Sequence, residues 1–341
     1  MSSSVEERSF SLSLSQAAPQ RWTARAALRR AVFGISPVET SFARRRLRGE
    51  SAAVRDRLEE VGRCFVRGYN AALEEDRPLF LAARLESEVE GEYQGFAYEG
   101  AGMALALLDT LIPGRRDRLG RLLESPAGSL HIYLIHVGAG WILARLPLSP
   151  ERLLARLADP TLRWLALDGY GFHEGFFRWP RAVVRQEVPR KLRGYARRVF
   201  DQGLGRSLWF VDGADVRLIP RTIDAFPEPR RPDLWSGVGL ACAYAGGRSE
   251  AEIEALRRAA GPHAAQLAQG VAFAAGARER ADNLAAHTEL ACRVVCGLSA
   301  GAAAAVTDET VRDLPADRPG EPAFEVWRRR IQERFAEGGR K

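Results

Sequence analysis

Three short patterns recur along the chain, in the same order and at nearly the same spacing. Arg63-x-Phe65-x-x-Gly68-x-x-x-Ala72-Leu73 is matched by Arg198-x-Phe200-x-x-Gly203-x-x-x-Ser207-Leu208, an offset of 135 residues. Gly100-x-Gly102-x-Ala104-x-Ala106 returns as Gly237-x-Gly239-x-Ala241-x-Ala243, 137 residues on. Gly138-Ala139-Gly140 has a weaker counterpart in Ala274-Ala275-Gly276, at 136. Patterns that recur together at a fixed period mark repeated supersecondary units. The expectation is two similar halves, packed with pseudo-two-fold symmetry so that each buries its apolar face against the other. A ligand cleft belongs at that seam.

The period of the apolar residues is helical. Ser51 is placed to cap a helix carrying Val54, Leu58, Val61, Phe65, Tyr69 and Leu73, which ends before Pro78. Ser149-Pro150 and Asp159-Pro160 each put a capping side chain before a proline at the first helical position. Further helices are expected over 130–146, 191–210, 263–297 and 322–337, with 212–234 the least regular connection. No convincing strand alternation occurs, so the fold class is all-α. The expected division is a flexible arm (1–20), a first helical half (21–147), a connecting segment (148–190), a second half (191–316) and a C-terminal linker and helix (317–341).

The net charge of +7 is almost wholly arginine, since lysine occurs only at Lys191 and Lys341. The arginines sit beside acids, as in Arg55-Asp56-Arg57-Leu58-Glu59-Glu60. That pattern describes solvated helix faces rather than a nucleic-acid groove, which concentrates its charge and interleaves aromatics. Four cysteines in mostly apolar helical patterns fit a reduced, cytoplasmic setting. The first twenty residues lack the form of a signal peptide. The apolar run 131–146 is shorter than the roughly 20 residues of a membrane span.

The central stretch Asp168-Gly169-Tyr170-Gly171-Phe172-His173-Glu174-Gly175-Phe176-Phe177 is the leading site candidate. Each glycine inside a helix costs about 1 kcal/mol relative to alanine, so three of them imply close approach of a backbone or a ligand. The intrinsic pKa of histidine sits near neutrality, so His173 is the candidate acid or base, with Asp168 or Glu174 as its orienter and Tyr170 adding a phenol. Phe172, Phe176 and Trp209 are candidates for the wall of the site. The alternative is a tightly packed aromatic core with a satisfied buried histidine. Arg206, Arg217 and Arg221 offer a clamp for a carboxylate or phosphate, or else surface ion pairs with Asp212 and Asp215. His287 and Glu289 are either a second-half counterpart of the central site or a helix-capping cluster.

Cys292 and Cys296, four apart, do not make a metal site with His287, because three soft ligands on one helix match no standard spacing. The chain has no glycine-rich phosphate loop after a strand, no Gly-x-Ser-x-Gly and no His-Glu-x-x-His. Neither a metal nor a dissociable cofactor is therefore expected.

The central stretch, Asp201-Gln-Gly-Leu-Gly-Arg-Ser-Leu-Trp-Phe210, Trp235-Ser-Gly-Val-Gly239 and His287-Thr-Glu-Leu-Ala-Cys292 together resemble the UnbL-type family of unknown function. The resemblance runs from about residue 25 to 335. It implies a part in bacterial specialised metabolism, beside enediyne polyketide synthases, on a polyene intermediate. Two roles follow as expectations. One is an enzyme that isomerises or cyclises the polyene by proton transfer in an apolar cleft. The other is a non-catalytic polyene carrier or scaffold for partner enzymes of the same gene cluster.

Overall fold

The computed structural model describes residues 23–49, 51–112 and 117–338, and these residues form an all-α protein without strands. The arm assigned to 1–20 lies outside the described residues. The principal helices are α1 (Ala24–Phe33), α2 (Ala52–Glu74), α3 (Pro78–Glu88), α4 (Gln94–Leu111), α5 (Ile132–Gly140), α6 (Leu165–Phe177), α7 (Tyr195–Val211), α8 (Arg231–Ala245), α9 (Glu250–Ala260), α10 (Ala264–Arg280), α11 (Ala300–Thr310) and α12 (Ala323–Gly338). Short helical turns join them.

Three boundaries differ from the sequence reading. The helix expected over 263–297 is interrupted: α10 ends at Arg280, the chain turns through Asp282 with φ of 48°, and Ala286–Ala291 begins a new helix. Its continuation Cys292–Cys296 is a π-turn, stopped by Gly297 in the left-handed region. The 130–146 helix tightens at Trp141–Ala144 into a 3-10 turn. The connection 212–234 holds a helix of its own, Leu218–Asp224.

The core is a consecutive array, in which α2, α4, α5, α6, α7, α8 and α10 each pack on the next. Glycines set the contact. A Cβ on Gly68 would lie 1.9 Å from the Ala97 carbonyl oxygen, and one on Gly100 2.0 Å from that of Phe65. The same reciprocal pairing joins Gly102 with Gly138, Gly140 with Gly169, Gly171 with Gly203, Gly205 with Gly237, and Gly239 with Gly270. In each crossing, a glycine lies over the residue three before its partner glycine. No side chain fits at these points, so the backbones meet at van der Waals distance. The cost of glycine in a helix is offset by burial of two whole helix faces.

The crossings also refine the recurrence. Gly203 meets the preceding helix, whereas Gly68 meets the following one; the glycine of α7 that makes Gly68's contact is Gly205. Gly138 likewise shares its kind of contact with Gly270, not with the 274–276 triplet.

The array curls until distant helices touch. Arg57 of α2 donates to the Ala245 carbonyl at the end of α8 (2.6 Å), and Arg278 of α10 reaches the Glu92 carbonyl (3.2 Å). The inner side of this curl holds the candidate site.

Candidate functional site

Four of the glycine pairs are preceded by a polar residue: Glu99-Gly-Ala-Gly102, Asp168-Gly-Tyr-Gly171, Gln202-Gly-Leu-Gly205 and Ser236-Gly-Val-Gly239. Each of these polar residues stands where the neighbouring helix's glycine presses on its carbonyl. The close crossings therefore bring polar side chains from successive helices into one buried network. Gln202 donates through Nε2 to Asp168 Oδ2 (2.8 Å), and Ser236 Oγ donates to Gln269 Oε1 (2.8 Å). At the C-terminal end, Arg328 of α12 donates to Asp233 Oδ1 (2.7 Å).

Arg206 of α7 stands at the centre. Its Nε makes a 2.9 Å ion pair with Asp168 Oδ1, and its Nη2 donates to Glu99 Oε1 at 3.4 Å. Trp141 Nε1 donates to the same Glu99 oxygen (3.1 Å), and the guanidinium lies 4.7 Å from the Phe172 ring centroid. Glu99, Asp168 and Arg206 are 3, 0 and 5% exposed. Two carboxylates and one guanidinium, all out of water, carry an excess negative charge if both acids ionise. Burial pushes the carboxyl pKa of Glu99 and of Asp168 upward, and Arg206 opposes the rise in each.

Two small apolar chambers, each with a cavity volume of about 40 Å³, flank this cluster. The first is walled by rings, among them Phe65, Phe96, Trp141, Phe172, Phe176 and Phe210, with Glu99 on its surface. The second lies between α5, α8, α10 and the C-terminal helices, with Val137, Phe273 and Trp327 on its wall. Arg206, Leu240 and Tyr244 line both. The Tyr244 hydroxyl is buried without a hydrogen-bond partner among the described residues.

The residues singled out in the sequence divide between this site and the framework. Phe172, Phe176 and Arg206 line the first chamber, and Asp168 holds Arg206 from behind. Arg206 pairs inward, so the surface pairing with Asp212 or Asp215 does not apply to it; Asp212 pairs with Arg48 (2.5 Å), and the exposed Arg217 stands beside Asp215.

His173 is not on the wall of either chamber. α6 turns it away from Phe172, toward Arg145, whose Nε donates to His173 Nε2 (3.0 Å), and its Nδ1 lies 3.6 Å from Glu174 Oε1. Burial pushes its pKa down to about 4, so the ring is neutral near pH 7. Glu174 is engaged with Arg178 (3.3 Å). Tyr170 packs under Lys191 and edge-on to Phe200. Trp209 is fully buried and donates to the Gly246 carbonyl (3.0 Å). His287 lies against the Tyr244 carbonyl and Arg57, where burial holds its pKa near 4. Glu289 accepts from the Ala300 N–H (2.7 Å) and caps α11. None of these last five residues lines either chamber.

Sequence reasoning missed Glu99, Gln202, Trp141 and Tyr244. The signal for the first two was present: a polar residue directly before a helical Gly-x-Gly, repeated at 99, 168, 202 and 236. Nothing in the sequence marked Trp141 or Tyr244, which are brought in by the curl of the array.

Among the described residues no group of histidines, cysteines and acids is arranged to hold a metal ion, and all four cysteines are free. No single helix there is long and apolar enough to cross a membrane. Residues 24–335 match the family described as protein of unknown function (DUF1702), and the chain belongs to that family. No curated protein and no solved structure matches it.

Proposed function

We propose that the protein takes an elongated, mostly apolar ligand of the polyene class into the two chambers and acts on it by proton transfer without a dissociable cofactor. The observation that carries this reading is the shared boundary of the chambers at Arg206, Leu240 and Tyr244. A long thin molecule would lie in both, with flat rings along its length and the Arg206 guanidinium at the middle. Aromatic walls suit a conjugated chain, because ring faces stack on an extended π-system. The resemblance in sequence supplies the setting: bacterial specialised metabolism, enediyne-type polyketide maturation, in the company of other proteins of the same cluster.

The buried charged cluster favours the enzyme over the plain carrier. A carrier needs only an apolar wall, whereas a buried ion pair is no aid to stability compared with well-packed apolar residues. Charged groups kept inside an apolar chamber are a common arrangement of sites that move protons.

Binding is tested with a linear conjugated tetraene fatty acid, whose fluorescence rises in an apolar site. The wild-type chain should bind it with a saturable rise in emission, and Leu240→Trp, which fills the shared boundary, should weaken binding at least tenfold with an unchanged helical circular dichroism spectrum. No saturable binding by the wild type, or equal binding by the folded variant, would overturn the reading.

A further inference from the structure

We propose that Glu99 is the catalytic acid of this site, delivering its carboxyl proton to a carbon–carbon double bond of the polyene held in the first chamber. The inference rests on the reading that the chambers bind such a ligand. It moves the acid from His173 to a residue on the chamber wall.

Three observations converge on Glu99. First, the cluster holds one guanidinium for two carboxyls, and an unpaired carboxylate in an apolar interior keeps its proton rather than its charge. The guanidinium lies closer to Asp168, with a 2.9 Å charge contact from Arg206 Nε and a 2.8 Å hydrogen bond from Gln202; Glu99 has Arg206 at 3.4 Å and the neutral Trp141 Nε1 at 3.1 Å. The proton therefore stays on Glu99. Second, both donors to Glu99, Trp141 Nε1 and Arg206 Nη2, reach Oε1, and among the described residues no hydrogen bond reaches Oε2. The free oxygen is the one left to carry the hydrogen. Third, Glu99 is part of the wall of the first chamber, facing Phe65, Phe96, Phe172 and Phe176. Ring faces are negative and attract a positive charge that develops between them.

The step balances without an oxidant or reductant. The Oε2–H bond breaks as the π pair of a terminal C=C of the conjugated chain forms a new C–H bond. Glu99 becomes a carboxylate, held by the Arg206 and Trp141 donors already in place, and the cation spreads over the remaining conjugated carbons. Loss of a proton from a neighbouring carbon back to Glu99 gives a double-bond isomer. Attack by a second C=C before that loss closes a ring and gives a cyclic isomer. Substrate and product have the same composition, and the acid is regenerated. The substrate class is a linear conjugated polyene, because delocalisation along the chain lowers the cost of the cation that protonation creates.

The experiment has two arms on the whole chain. Infrared spectroscopy at pH 7 should show the C=O stretch of a protonated buried carboxyl, and this band should vanish in Glu99→Gln. Incubation of the tetraene fatty acid methyl ester in D₂O should yield an isomer one mass unit heavier, because Glu99 delivers deuterium and hydrogen is lost from the chain. Glu99→Gln should still bind the ester, by its fluorescence, yet incorporate deuterium at least a hundredfold more slowly. If the infrared band survives in Glu99→Gln, another carboxyl holds the proton and the assignment falls. If the wild type binds without exchange, or the variant exchanges at the wild-type rate, the acid role falls and the binding reading stands. If the wild type does not bind, the binding reading fails and this inference with it.

Discussion

Gly171 and Gly203 press on each other's helices in the same way from either side. A Cβ on Gly171 would lie 2.0 Å from the carbonyl oxygen of Phe200, three residues before Gly203. A Cβ on Gly203 would lie 1.8 Å from the carbonyl oxygen of Asp168, three residues before Gly171. The Asp168 side chain is thereby fixed beside Gln202 and Arg206, so one pair of missing side chains places the central acid of the buried cluster.

Either glycine should be intolerant of the smallest side chain. Gly171→Ala and Gly203→Ala each gain about 1 kcal/mol of helix propensity but must separate two backbones, and overpacking of this kind costs roughly 3 kcal/mol or more. Gly301→Ala is the control, because a Cβ there meets nothing within 4 Å; it should stabilise by roughly 0.5 kcal/mol. Urea midpoints of the three variants check this. Equal stability of Gly171→Ala and Gly301→Ala would show that the helices have room to spare.

Much of this architecture was legible in the sequence. Apolar residues at intervals of three and four marked α2, and the absence of alternation marked the all-α class. The recurrence at 135–137 residues picked out helices that cross by the same glycine device. That device occurs at six crossings, however, with the glycines that meet the preceding helix at 100, 138, 169, 203, 237 and 270. The recurrence therefore spans four crossings at once. His173 was misplaced because spacing in a helix fixes which residues share a face, not which face meets the cavity. Phe172 and Phe176 took the chamber, and His173 took Arg145. Glu99 was missed for a different reason: its place before a Gly-x-Gly marks it, but its partners Arg206 and Trp141 lie 107 and 42 residues away.

His173 should act on stability through pH rather than on chemistry. Its folded pKa, near 4, lies below the ordinary 6.5, so the unfolded chain takes up a proton first as pH falls. The contribution is whole above pH 6.5 and is lost on acidification through 4, by about 1.4 kcal/mol per pH unit and roughly 3 kcal/mol in all. His131 and His287, also pushed to about 4, add to the same loss. His173→Gln, which can still accept from Arg145, should cost about 1 kcal/mol at pH 7 and show a shallower decline from pH 6.5 to 4. Parallel stability profiles for variant and wild type would mean that His173 is protonated in the fold.

The cysteines should be slow to react. Burial and the Glu60 carboxylate push the Cys64 thiol up to about 12, burial with the neighbouring Cys292 does the same for Cys242, and Cys296 is raised through its contact with Cys292. Cys292 has no exposed surface. The thiolate is the reactive form, so iodoacetamide at pH 8 should leave the native chain largely unmodified while urea exposes all four sites. Mass spectrometry counts the adducts, and a thiol labelled within minutes in the native chain would contradict this.

Removing Arg206 should destabilise the protein in a way that depends on pH with a definite sign. Arg206→Met leaves Asp168 with Gln202 and Glu99 with Trp141, and no cation between them. Breaking a buried pair by deleting one partner costs about 3–5 kcal/mol when the other charge remains. The remaining carboxyls avoid that cost by taking up protons, so their folded pKa values rise further above the ordinary 3.8 and 4.5. A carboxyl whose folded pKa is raised loses stability as pH climbs from the unfolded value through the folded one. The difference between Arg206→Met and wild type, taken at the same pH to cancel the histidines, should therefore be larger at pH 8 than at pH 5. The double variant Arg206→Met with Asp168→Asn should recover part of the loss at pH 8, because it removes the carboxylate that Arg206 held most closely. A difference independent of pH would mean that Arg206 contributes packing against Phe172 and not charge, and the single-guanidinium account of the cluster would be wrong.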